Sequence, residues 1–307
     1  MKRGTSGINA LLAVDKPCGM TSHDVVMRVR RACAERRVGH AGTLDPDASG
    51  LLVVGIGQGT RLMGLLTAHD KVYEAAIAFG SETDTDDAEG SVTRSCEVPE
   101  RLAEPAVAAV VTASLVGKGM QVPPAYSAIS VNGTRSYALA RAGQAPELEP
   151  RPIEVFDACL LGVRHEGDTL VWDVRLHVSK GTYVRAIARD LGRSLGCAAH
   201  LCGLRRCASG HVTLDDACAL EDLEGGAPCV HARALDPVVA LGLPARHLTD
   251  AQAARVAQGQ RLSAGGLDEG ARVALVHEAR LVGVWGVREG RLCCEVNFPQ
   301  GIEGVRA

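Results

Sequence analysis

The sequence predicts an α+β protein, with a mixed, largely antiparallel sheet flanked by helices and a small β-rich domain at the C-terminus. Three observations support this fold class. Residues 169–179 alternate apolar with mostly polar side chains, which is the pattern of a half-buried antiparallel strand. After residue 21, apolar side chains recur at helical spacing with arginines between them. Residues 272–298 form short apolar runs separated by turns, which is typical of a small β-rich module.

The N-terminal region is predicted to form a strand followed by a helix. Residues 11–16 are an apolar strand that Pro17 stops, and Thr21 or Ser22 is placed to cap the next helix. The apolar positions that recur along this helix are Val25, Val26, Val29 and Cys33. The spacing itself indicates an ordinary strand, turn and amphipathic helix.

The stretch GHAGTLDPDASG, at residues 39–50, concentrates polar and conformationally special residues. Its glycines permit conformations and close approaches that a Cβ would forbid, and they are Gly39, Gly42 and Gly50. Asp45 precedes a proline, so its backbone favours an extended conformation. Residues 51–55 read as a buried strand. We therefore predict a non-helical loop that presents Asp45 at the mouth of a strand, although a loop that only caps and solvates has a similar composition.

Further strands and helices follow this loop. Helices are predicted at residues 60–68, 103–115, 135–142 and 248–258, and strands at residues 71–80, 153–163, 169–179, 273–276, 281–285 and 292–296. Tyr73, Ala75, Ile77 and Phe79 share one face of their strand, where Tyr73 could simply be a core residue. Residues 81–90 are acidic and are predicted to form a solvated loop that suits RNA phosphates poorly.

The charges in the sequence give conflicting indications of whether the protein binds nucleic acid. The net charge of −3 argues against a nucleic-acid partner, but local patches decide binding. Two groups of arginines are candidates for such patches, and a solvated helix face would have the same appearance. The first group is Arg28, Arg30, Arg31, Arg36 and Arg37, and the second is Arg185, Arg189, Arg193, Arg205 and Arg206.

Eleven cysteines indicate neither a disulfide framework nor a zinc site. Their number is odd, no Cys-x-x-Cys occurs, and Cys197, Cys202 and Cys207 lie five residues apart. We expect reduced thiols and no bound metal. The apolar stretch at residues 8–14 is too short and too polar for a signal peptide, and no run approaches the ~20 residues of a membrane span. The sequence therefore predicts a cytoplasmic protein without membrane contact.

Several stretches resemble the motifs of the bacterial tRNA pseudouridine synthases of the TruB type. DKPCGMTSHDVVMRVRR resembles the opening motif of that family, and GHAGTLDPDASGLLVVGIGQGTRL resembles its catalytic motif. KVYEAAIAFG and SKGTYVRAIARDLG resemble its second and third motifs, and VPPAYSA and AHLCGLRR match two further elements. The resemblance is strong from Leu12 to about Leu220 and weaker beyond.

The resemblance implies a reaction and a catalytic set. Members of this family isomerise the uridine at position 55 in the T-loop of tRNA by breaking its N1–C1′ bond, rotating the uracil and rejoining it through C5. Asp45 falls on the catalytic nucleophile and Arg185 on the arginine that pairs with it. Tyr73 falls on the tyrosine that packs against the flipped base. Whether Asp45 attacks C1′ or C6, or abstracts a proton, stays open.

The resemblance also implies a substrate-binding set. It comprises His40, Tyr73, Tyr183, Leu204 and Lys16, with Tyr183 lining the base pocket and the backbone of Leu204 contacting the base. No redox or group-transfer step occurs, so no cofactor is implied. The expected partner is the T-arm of tRNA, and the expected oligomeric state is a monomer.

The expected organisation is a catalytic domain at residues 1–243 and a PUA-like RNA-binding domain at residues 244–307. An RNA-gripping insertion is expected around residues 118–150, where Ser130 and Thr134 replace the basic residues usual in the family. This replacement reduces the positive charge with which the insertion could bind phosphates.

Two other functions fit parts of the sequence. One is an RNA-binding chaperone for tRNA folding with the same fold, although the intact set of Asp45, Tyr73 and Arg185 argues against loss of catalysis. The other is a metal-dependent hydrolase that uses Asp45, Asp47 and His40, but the sequence shows no second group of ligands at a recognisable spacing. Release of the C5 proton would occur only in the isomerase.

Overall fold

Strands and short helices alternate along the part of the chain that the structure describes. The computed structural model describes residues 6–127, 129–131, 133–142, 144 and 148–306. The α-helices are α1 (Ser22–Cys33), α2 (Met63–Thr67), α3 (Pro105–Ala113), α4 (Ser136–Arg141), α5 (Val184–Ser194), α6 (Ala227–Ala232), α7 (Pro237–Leu241) and α8 (Asp250–Ala257). The strands are β1 (Ala10–Lys16), β2 (Val38–His40), β3 (Ser49–Ile56), β4 (Lys71–Phe79), β5 (Ser81–Thr83), β6 (Val92–Ser95), β7 (Gly117–Gln121), β8 (Ser130–Val131), β9 (Thr134–Arg135), β10 (Arg151–Glu166), β11 (Thr169–Val178), β12 (Ala199–Ser209), β13 (Val212–Thr213), β14 (Ala245–His247), β15 (Leu262–Ser263), β16 (Arg272–His277), β17 (Arg280–Arg288) and β18 (Arg291–Ile302).

The chain divides into two compact units. The first contains the described residues up to His69 and those from Ala208 onward, and the second is Asp70–Cys207. In the first unit, β3 pairs antiparallel with β1 and with β2. The same unit contains a five-stranded sheet with the order β14-β16-β17-β18-β15, in which β14 runs parallel to β16.

Both faces of the β1–β3 pair are covered by apolar side chains. On one face, Leu12 packs with Val26 of α1 in a buried cluster. On the other face, Leu11 packs with Phe298 of β18 in a second buried cluster. Burial on both faces explains why residues 51–54 are a continuous apolar run instead of an alternating one.

The β-rich character predicted for the C-terminal region is confirmed by the five-stranded sheet. Ala240 and Leu241 share a buried cluster with Leu281 and Ile302. The predicted boundary between residues 243 and 244 stays a prediction, and so does a separate PUA-like domain at residues 244–307.

The second unit is built on a sheet with the order β12-β4-β11-β10-β7. β11 pairs antiparallel with β4 and with β10, which also pairs antiparallel with β7. Trp172 of β11 is fully buried; its ring centroid lies 4.7 Å from that of Phe79, and its indole N–H donates to the carbonyl of Leu102 at 2.8 Å. The predicted mixed, largely antiparallel sheet with flanking helices is confirmed.

Most predicted elements lie within a few residues of the observed ones. Residues 60–68 differ in detail, since a 3₁₀ helix (Gly57–Leu62) precedes α2 there and its two glycines disfavour an α-helical start. Residues 199–206 lie in β12, a strand that the sequence pattern did not predict. Arg206 breaks the apolar pattern of β12 and yet is buried. No helix among the described residues is long and apolar enough to cross a bilayer.

Candidate functional site

Asp45 lies in the loop that joins β2 to β3 in the first unit. Its carbonyl accepts a hydrogen bond from the amide of Ala48 at 3.2 Å, so Asp45 opens a β-turn with Pro46 at the second position. The Asp45 side chain is half-buried, and β3 begins four residues later at Ser49. The predicted non-helical loop at the mouth of a buried strand is confirmed.

Two of the three glycines near Asp45 adopt backbone conformations that favour glycine. The φ angles of Gly42 and Gly50 are 92° and 99°, in the left-handed region that disfavours a Cβ. Gly39 instead lies in β2, and the nearest atoms to a Cβ built there are 4.0 Å away, which is an ordinary contact. The prediction that a Cβ is forbidden at all three positions is therefore wrong for Gly39.

The Lys16 ammonium holds the backbone directly after Asp45. The Lys16 side chain is fully buried, and its Nζ donates to the carbonyls of Pro17 at 2.9 Å, Met20 at 2.6 Å and Pro46 at 3.0 Å. Three carbonyl oxygens match the three donors of an ammonium group. These bonds give Lys16 a structural part in the loop, and its contact with substrate stays a prediction.

Ser22 holds the backbone directly before Asp45. Its Oγ donates to the Leu44 carbonyl and accepts from the Leu44 amide, both at 2.9 Å. The capping role that the sequence left open belongs to Thr21, whose Oγ accepts from the amide of Asp24 at 3.1 Å. Sequence reasoning missed the contact of Ser22 with the loop, for which the only signal is a second hydroxyl next to the cap.

His40 is the last residue of β2 and lies opposite Val54 of β3, with a half-buried side chain. This places it five residues before Asp45 on the rigid entry to the same loop. The substrate contact of His40 stays a prediction.

The first arginine group is mostly exposed on the first unit. Arg30 is half-buried and donates to the carbonyl of Val38 at 3.2 Å. The other four side chains are exposed, namely Arg28, Arg31, Arg36 and Arg37. Arg37 Nε also lies 3.9 Å from the buried carboxylate of Glu35. The exposed side chains leave this group accessible to a polyanion, as the sequence allowed.

Tyr73 and Leu204 lie on the second unit, at the border of its core. Tyr73 is half-buried on β4 opposite Leu176 of β11, and it packs against the buried cluster that includes Ile77 and Phe79. The predicted shared face of this strand is confirmed. Leu204 of β12 is half-buried against the same cluster.

Tyr183 stands at the start of α5 and is held there by a buried amide side chain. The Tyr183 amide donates to Gln121 Oε1 at 2.9 Å, and Gln121 Nε2 donates to the Tyr183 carbonyl at 3.1 Å. Gln121 of β7 is 3% exposed. Gln121 could not be recognised from sequence, since an isolated glutamine before two prolines carries no signal of this contact.

Arg185 is buried in the first turn of α5 and contacts three different groups. Its Nη1 donates to the Thr85 carbonyl at 3.0 Å and to Asp87 Oδ2 at 3.3 Å, and its Nη2 donates to the Tyr126 carbonyl at 3.1 Å. Arg185 therefore joins the acidic segment, defined as residues 81–90, to the proline-rich segment that follows β7. Its pairing with Asp45 stays a prediction.

The next two arginines along α5 bind the same acidic segment. Arg189 Nη1 donates to Asp86 Oδ2 at 2.7 Å, and both side chains are largely buried. Arg193 binds both carboxylate oxygens of Glu82, with its Nη2 2.7 Å from Oε2 and its Nε 3.1 Å from Oε1. Residues four apart on a helix share one face, so α5 presents a row of guanidinium groups to this segment.

The acidic segment is therefore not the solvated loop that the sequence predicted. Glu82, Thr83 and Asp86 are buried, because the α5 arginines neutralise the carboxylates that would otherwise need water. The interpretation of the second arginine group as a free phosphate-binding surface is likewise wrong, because Arg185 and Arg189 are buried against acidic partners. The paired charges lie 98 to 111 residues apart in sequence, so the sequence alone gave no indication that they would meet.

Glu82 is expected to stabilise the second unit in a pH-dependent way. Hydrogen bonds from Arg193 lower the pKa of Glu82 below its ordinary value of 4.5, the charges of Arg193 and Arg94 lower it further, and burial opposes them. A lowered carboxyl pKa contributes stability that is present above the unfolded pKa and is lost as pH falls through the folded pKa. Glu82→Gln should therefore cost about 2 kcal/mol in the free energy of unfolding at neutral pH, as expected for hydrogen bonds to charged groups.

Urea unfolding of the wild type and Glu82→Gln at neutral pH and at a series of pH values descending from 4.5 to the lowest at which both remain folded measures this effect. The difference should shrink as the pH falls and the wild-type carboxylate becomes protonated. Glu97→Gln, at an exposed position just beyond β6, is the control and should change little at any of these pH values. An equal difference at all pH values would show that the charge of Glu82 is not what stabilises the unit.

Cationic side chains gather at the start of β4, two residues before Tyr73. The pKa of Lys71 is lowered to about 8, mainly by burial and also by the charges of Arg206 and Lys180, with Asp70 opposing them. Lys71 and Arg206 are both buried. This end of the second unit is therefore electropositive, which sequence reasoning missed because Arg206 was assigned to an exposed group.

Two family models match the chain. The TruB family pseudouridylate synthase (N terminal domain) model matches residues 30–184, and the tRNA pseudouridylate synthase B C-terminal domain model matches residues 185–240. Curated relatives named tRNA pseudouridine synthase B are similar to this chain over most of their length. The tRNA pseudouridine synthase B of Mycobacteroides abscessus is 46% identical over 89% of this chain and 90% of the relative. That of Thermobifida fusca is 45% identical over 84% of this chain and 88% of the relative.

Solved structures share the fold. A Cbf5-Nop10-Gar1 complex contains a chain that is 24% identical with a TM-score of 0.69, and the match covers 96% of this chain and 86% of that one. The archaeal box H/ACA sRNP Nop10-Cbf5 complex gives a TM-score of 0.67 at 23% identity, covering 95% of this chain and 86% of that one. At these identities the likeness concerns the fold alone, and it confirms the predicted fold class.

Proposed function

The chain belongs to the TruB family of pseudouridylate synthases, and on that premise we propose that it isomerises the uridine at position 55 in the T-loop of tRNA with Asp45 as the nucleophile. The enzyme class, tRNA pseudouridine synthase, and the tRNA substrate follow from family membership. The position in tRNA and the catalytic residue are the proposal.

One observation carries the proposal: the backbone on both sides of Asp45 is fixed while its side chain is only half-buried. Ser22 bonds Leu44 before it, and Lys16 bonds Pro46 after it. A nucleophile must be aimed within a fraction of an ångström, because small displacements reduce the rate strongly. A loop held in this way suits a carboxylate that attacks a substrate.

The reaction requires a group that acts on the uridine ring or its sugar and a pocket that retains the detached uracil. An ionised carboxylate can form a covalent bond to carbon and later leave. Attack at C1′, attack at C6 and proton abstraction all use the same Asp45 oxygens, so the proposal holds for each. The isomerisation passes no electrons or groups to a second molecule, so we propose no cofactor.

The base must leave the T-loop stack before the carboxylate can reach it. We propose that Tyr73 packs against the flipped uracil and that Tyr183 and the Leu204 backbone line the pocket. Stacking of an aromatic ring on a base contributes roughly 1–3 kcal/mol. Half-buried positions at the border of the core support this role for Tyr73 and Leu204, since each packs on the core and keeps part of its surface accessible.

We propose that Arg185 orients Asp45 through a charge-assisted hydrogen bond and that the exposed arginines of the first group bind phosphates. His40 and Lys16 complete the proposed substrate-binding set. The T-arm is the part of tRNA that this set would contact. A monomeric state and a cytoplasmic location stay predictions.

Release of tritium from tRNA labelled at C5 of its uridines tests the function. Isomerisation expels the C5 hydrogen, so the enzyme should release tritium without cleaving the tRNA. A chaperone would refold the tRNA without release, and a hydrolase would cut it without release. Failure to release tritium from a correctly folded tRNA would refute the proposal.

Tyr73→Phe is expected to separate the ring of Tyr73 from its hydroxyl. The variant keeps the stacking surface, so its affinity for tRNA should change little, but the reaction should not reach completion if the hydroxyl supports removal of the C5 proton. Tritium release and filter binding measure the two quantities. Tyr73→Leu removes the ring and should weaken both, whereas wild-type turnover in Tyr73→Phe would leave stacking as the only role.

A further inference from the structure

The hydroxyl of Ser22 has no part in capping its own helix. Thr21 caps α1, and the capping box is completed by Asp24, whose carboxylate accepts from the Thr21 amide at 3.0 Å. The Ser22 side chain is nonetheless 3% exposed and forms both of its hydrogen bonds with Leu44, 22 residues away in sequence. The position of this hydroxyl therefore depends on the Asp45 loop and not on helix formation.

The two bonds fix the peptide groups on either side of Leu44. The Leu44 carbonyl belongs to the peptide bond that leads into Asp45, so a rotation of that peptide would break the bond to Ser22 Oγ. Beyond Asp45, the Pro46 carbonyl accepts from Lys16 Nζ at 3.0 Å and from the Gly19 amide at 3.0 Å. Ser22 at the start of α1 thus holds the residue before Asp45, and Lys16 and Gly19 hold the residue after it.

We propose that Ser22 is a positioning residue for Asp45, an inference that rests on the proposed function of that carboxylate. Loss of the hydroxyl leaves the Leu44 amide and carbonyl without this partner and frees the peptide that leads into Asp45. Affinity for tRNA depends on other groups and should be retained. The chemical step should slow, because a displacement of about 1 Å at a reacting group reduces a rate by as much as 10²-fold.

Three variants test this inference together: Ser22→Ala, Thr21→Ala and Asp45→Asn. Thr21→Ala is the matched control because it removes a neighbouring hydroxyl and weakens α1 without touching Leu44. Single-turnover tritium release, tRNA affinity and thermal unfolding are measured for each, at a temperature well below every unfolding midpoint. Ser22→Ala should lower the single-turnover rate by about 10- to 100-fold with unchanged tRNA affinity. Thr21→Ala should lower the unfolding midpoint and leave the rate near that of the wild type.

The outcomes separate this inference from the proposed function. Equal rates in Ser22→Ala and Thr21→Ala, with Asp45→Asn inactive, would overturn the role of Ser22 alone. A parallel loss of tRNA affinity and rate in Ser22→Ala would also overturn it, because that pattern indicates general disruption. Full turnover in Asp45→Asn would refute the proposed function itself.

A second, independent observation concerns two thiols in the second unit. The Sγ atoms of Cys96 and Cys197 lie 3.2 Å apart, although the residues are 101 positions apart in sequence. The Ala198 amide donates to Cys96 Sγ at 2.9 Å. The backbones are also tied together, since the Gly80 amide donates to the Ala198 carbonyl at 2.8 Å and the Gly80 carbonyl accepts from the Cys96 amide at 2.9 Å.

The two sulfurs differ in accessibility. Cys96 is half-buried, whereas Cys197 is fully buried. Burial, together with the neighbouring Cys96, raises the pKa of the Cys197 thiol to about 11. Cys96 is therefore the sulfur that an oxidant from solvent meets first, and Cys197 is positioned as its resolving partner.

We infer that Cys96 and Cys197 form a reversible disulfide when the chain meets a peroxide. The Cys96 sulfur attacks one peroxide oxygen, the O–O bond breaks, and a sulfenic acid and one water result. The Cys197 sulfur then displaces the sulfenic oxygen as a second water, which takes up the Cys197 proton, and the S–S bond forms. Two electrons pass from the two thiols to hydrogen peroxide. The bond would join the chain just after α5 to the chain just after β6.

Peptide mapping without reductant tests this site on the full chain after treatment with hydrogen peroxide. A cross-linked pair of peptides containing Cys96 and Cys197 should appear, lighter by two hydrogens than the separate peptides, and dithiothreitol should reverse it. The cross-link should be lost in Cys96→Ser and kept in Cys159→Ser, which removes an exposed thiol on β10. Oxidation of Cys96 to a sulfinic acid without any cross-link, or loss of the cross-link in Cys159→Ser, would overturn the inference.

Discussion

Asp45→Asn should abolish pseudouridine formation while tRNA binding remains largely intact. An amide oxygen is a poor nucleophile and cannot replace an ionised carboxylate, so the loss should be roughly 10⁴- to 10⁶-fold, the scale on which other enzymes lose activity with their nucleophile. Binding should persist because phosphate and T-loop contacts come from other residues. Tritium release under single-turnover conditions and equilibrium tRNA binding measure the two effects.

Asp47→Asn provides the matched control for this variant. Asp47 lies two residues further along the same turn, with an exposed side chain, and the proposed mechanism gives it no role. Its turnover should stay near that of the wild type. Mass spectrometry must confirm that the introduced amide of Asp45→Asn has not deamidated, since deamidation restores the carboxylate. Substantial activity in an intact variant would contradict the mechanism.

Arg189→Met should destabilise the second unit by about 3–5 kcal/mol, the usual cost of removing one partner of a buried ion pair. Arg189 binds three oxygens, on Asp86 at 2.7 Å, Asp190 at 2.8 Å and the Val122 carbonyl at 2.9 Å. Burial raises the pKa of Asp86, and the charge of Arg189 is the largest influence that opposes this rise. Without Arg189, the Asp86 carboxylate is buried with less compensation. Urea unfolding measures the loss.

A second variant distinguishes two causes of the lost stability, the unpaired buried charge of Asp86 and the lost packing of the Arg189 side chain. Asp86 has a φ angle of 61°, so asparagine, which tolerates the left-handed region, is the suitable replacement. Adding Asp86→Asn to Arg189→Met should recover part of the lost stability, because no uncompensated charge remains. Arg31→Met, at an exposed position of α1, should change the free energy of unfolding by less than about 0.5 kcal/mol. A loss of similar size in Arg31→Met and Arg189→Met would contradict the buried-pair account.

The sequence predicted the Asp45 loop well because its signals are local. Glycine and proline restrict the backbone within a few residues, and the apolar run that follows identifies the strand. The same local reasoning wrongly predicted that position 39 requires glycine, because the surroundings of Gly39 leave room for a Cβ. The bonds from Lys16 and Ser22 to this loop could not be predicted, because they depend on how a segment some 22 to 30 residues away folds back.

The acidic segment and the α5 arginines show the limit of reading charge from sequence. Each was predicted to face solvent because isolated charges are costly to bury. Together they are buried, since Arg185 and Arg189 meet Asp87 and Asp86. Only the fold reveals that the two charged segments are partners. The strand β12 was missed for a related reason, as the buried Arg206 resembles a surface residue in sequence.

The central claim is that this chain isomerises the T-loop uridine of tRNA, and stoichiometric tritium release tests it most directly. Two otherwise identical tRNAs are prepared, one tritiated at C5 of the uridine at position 55 only, and the other at C5 of every other uridine. Excess enzyme should release the label almost completely from the first tRNA and leave the second unchanged. Release from the second tRNA, or retention of the label in the first while it is bound, would contradict the account.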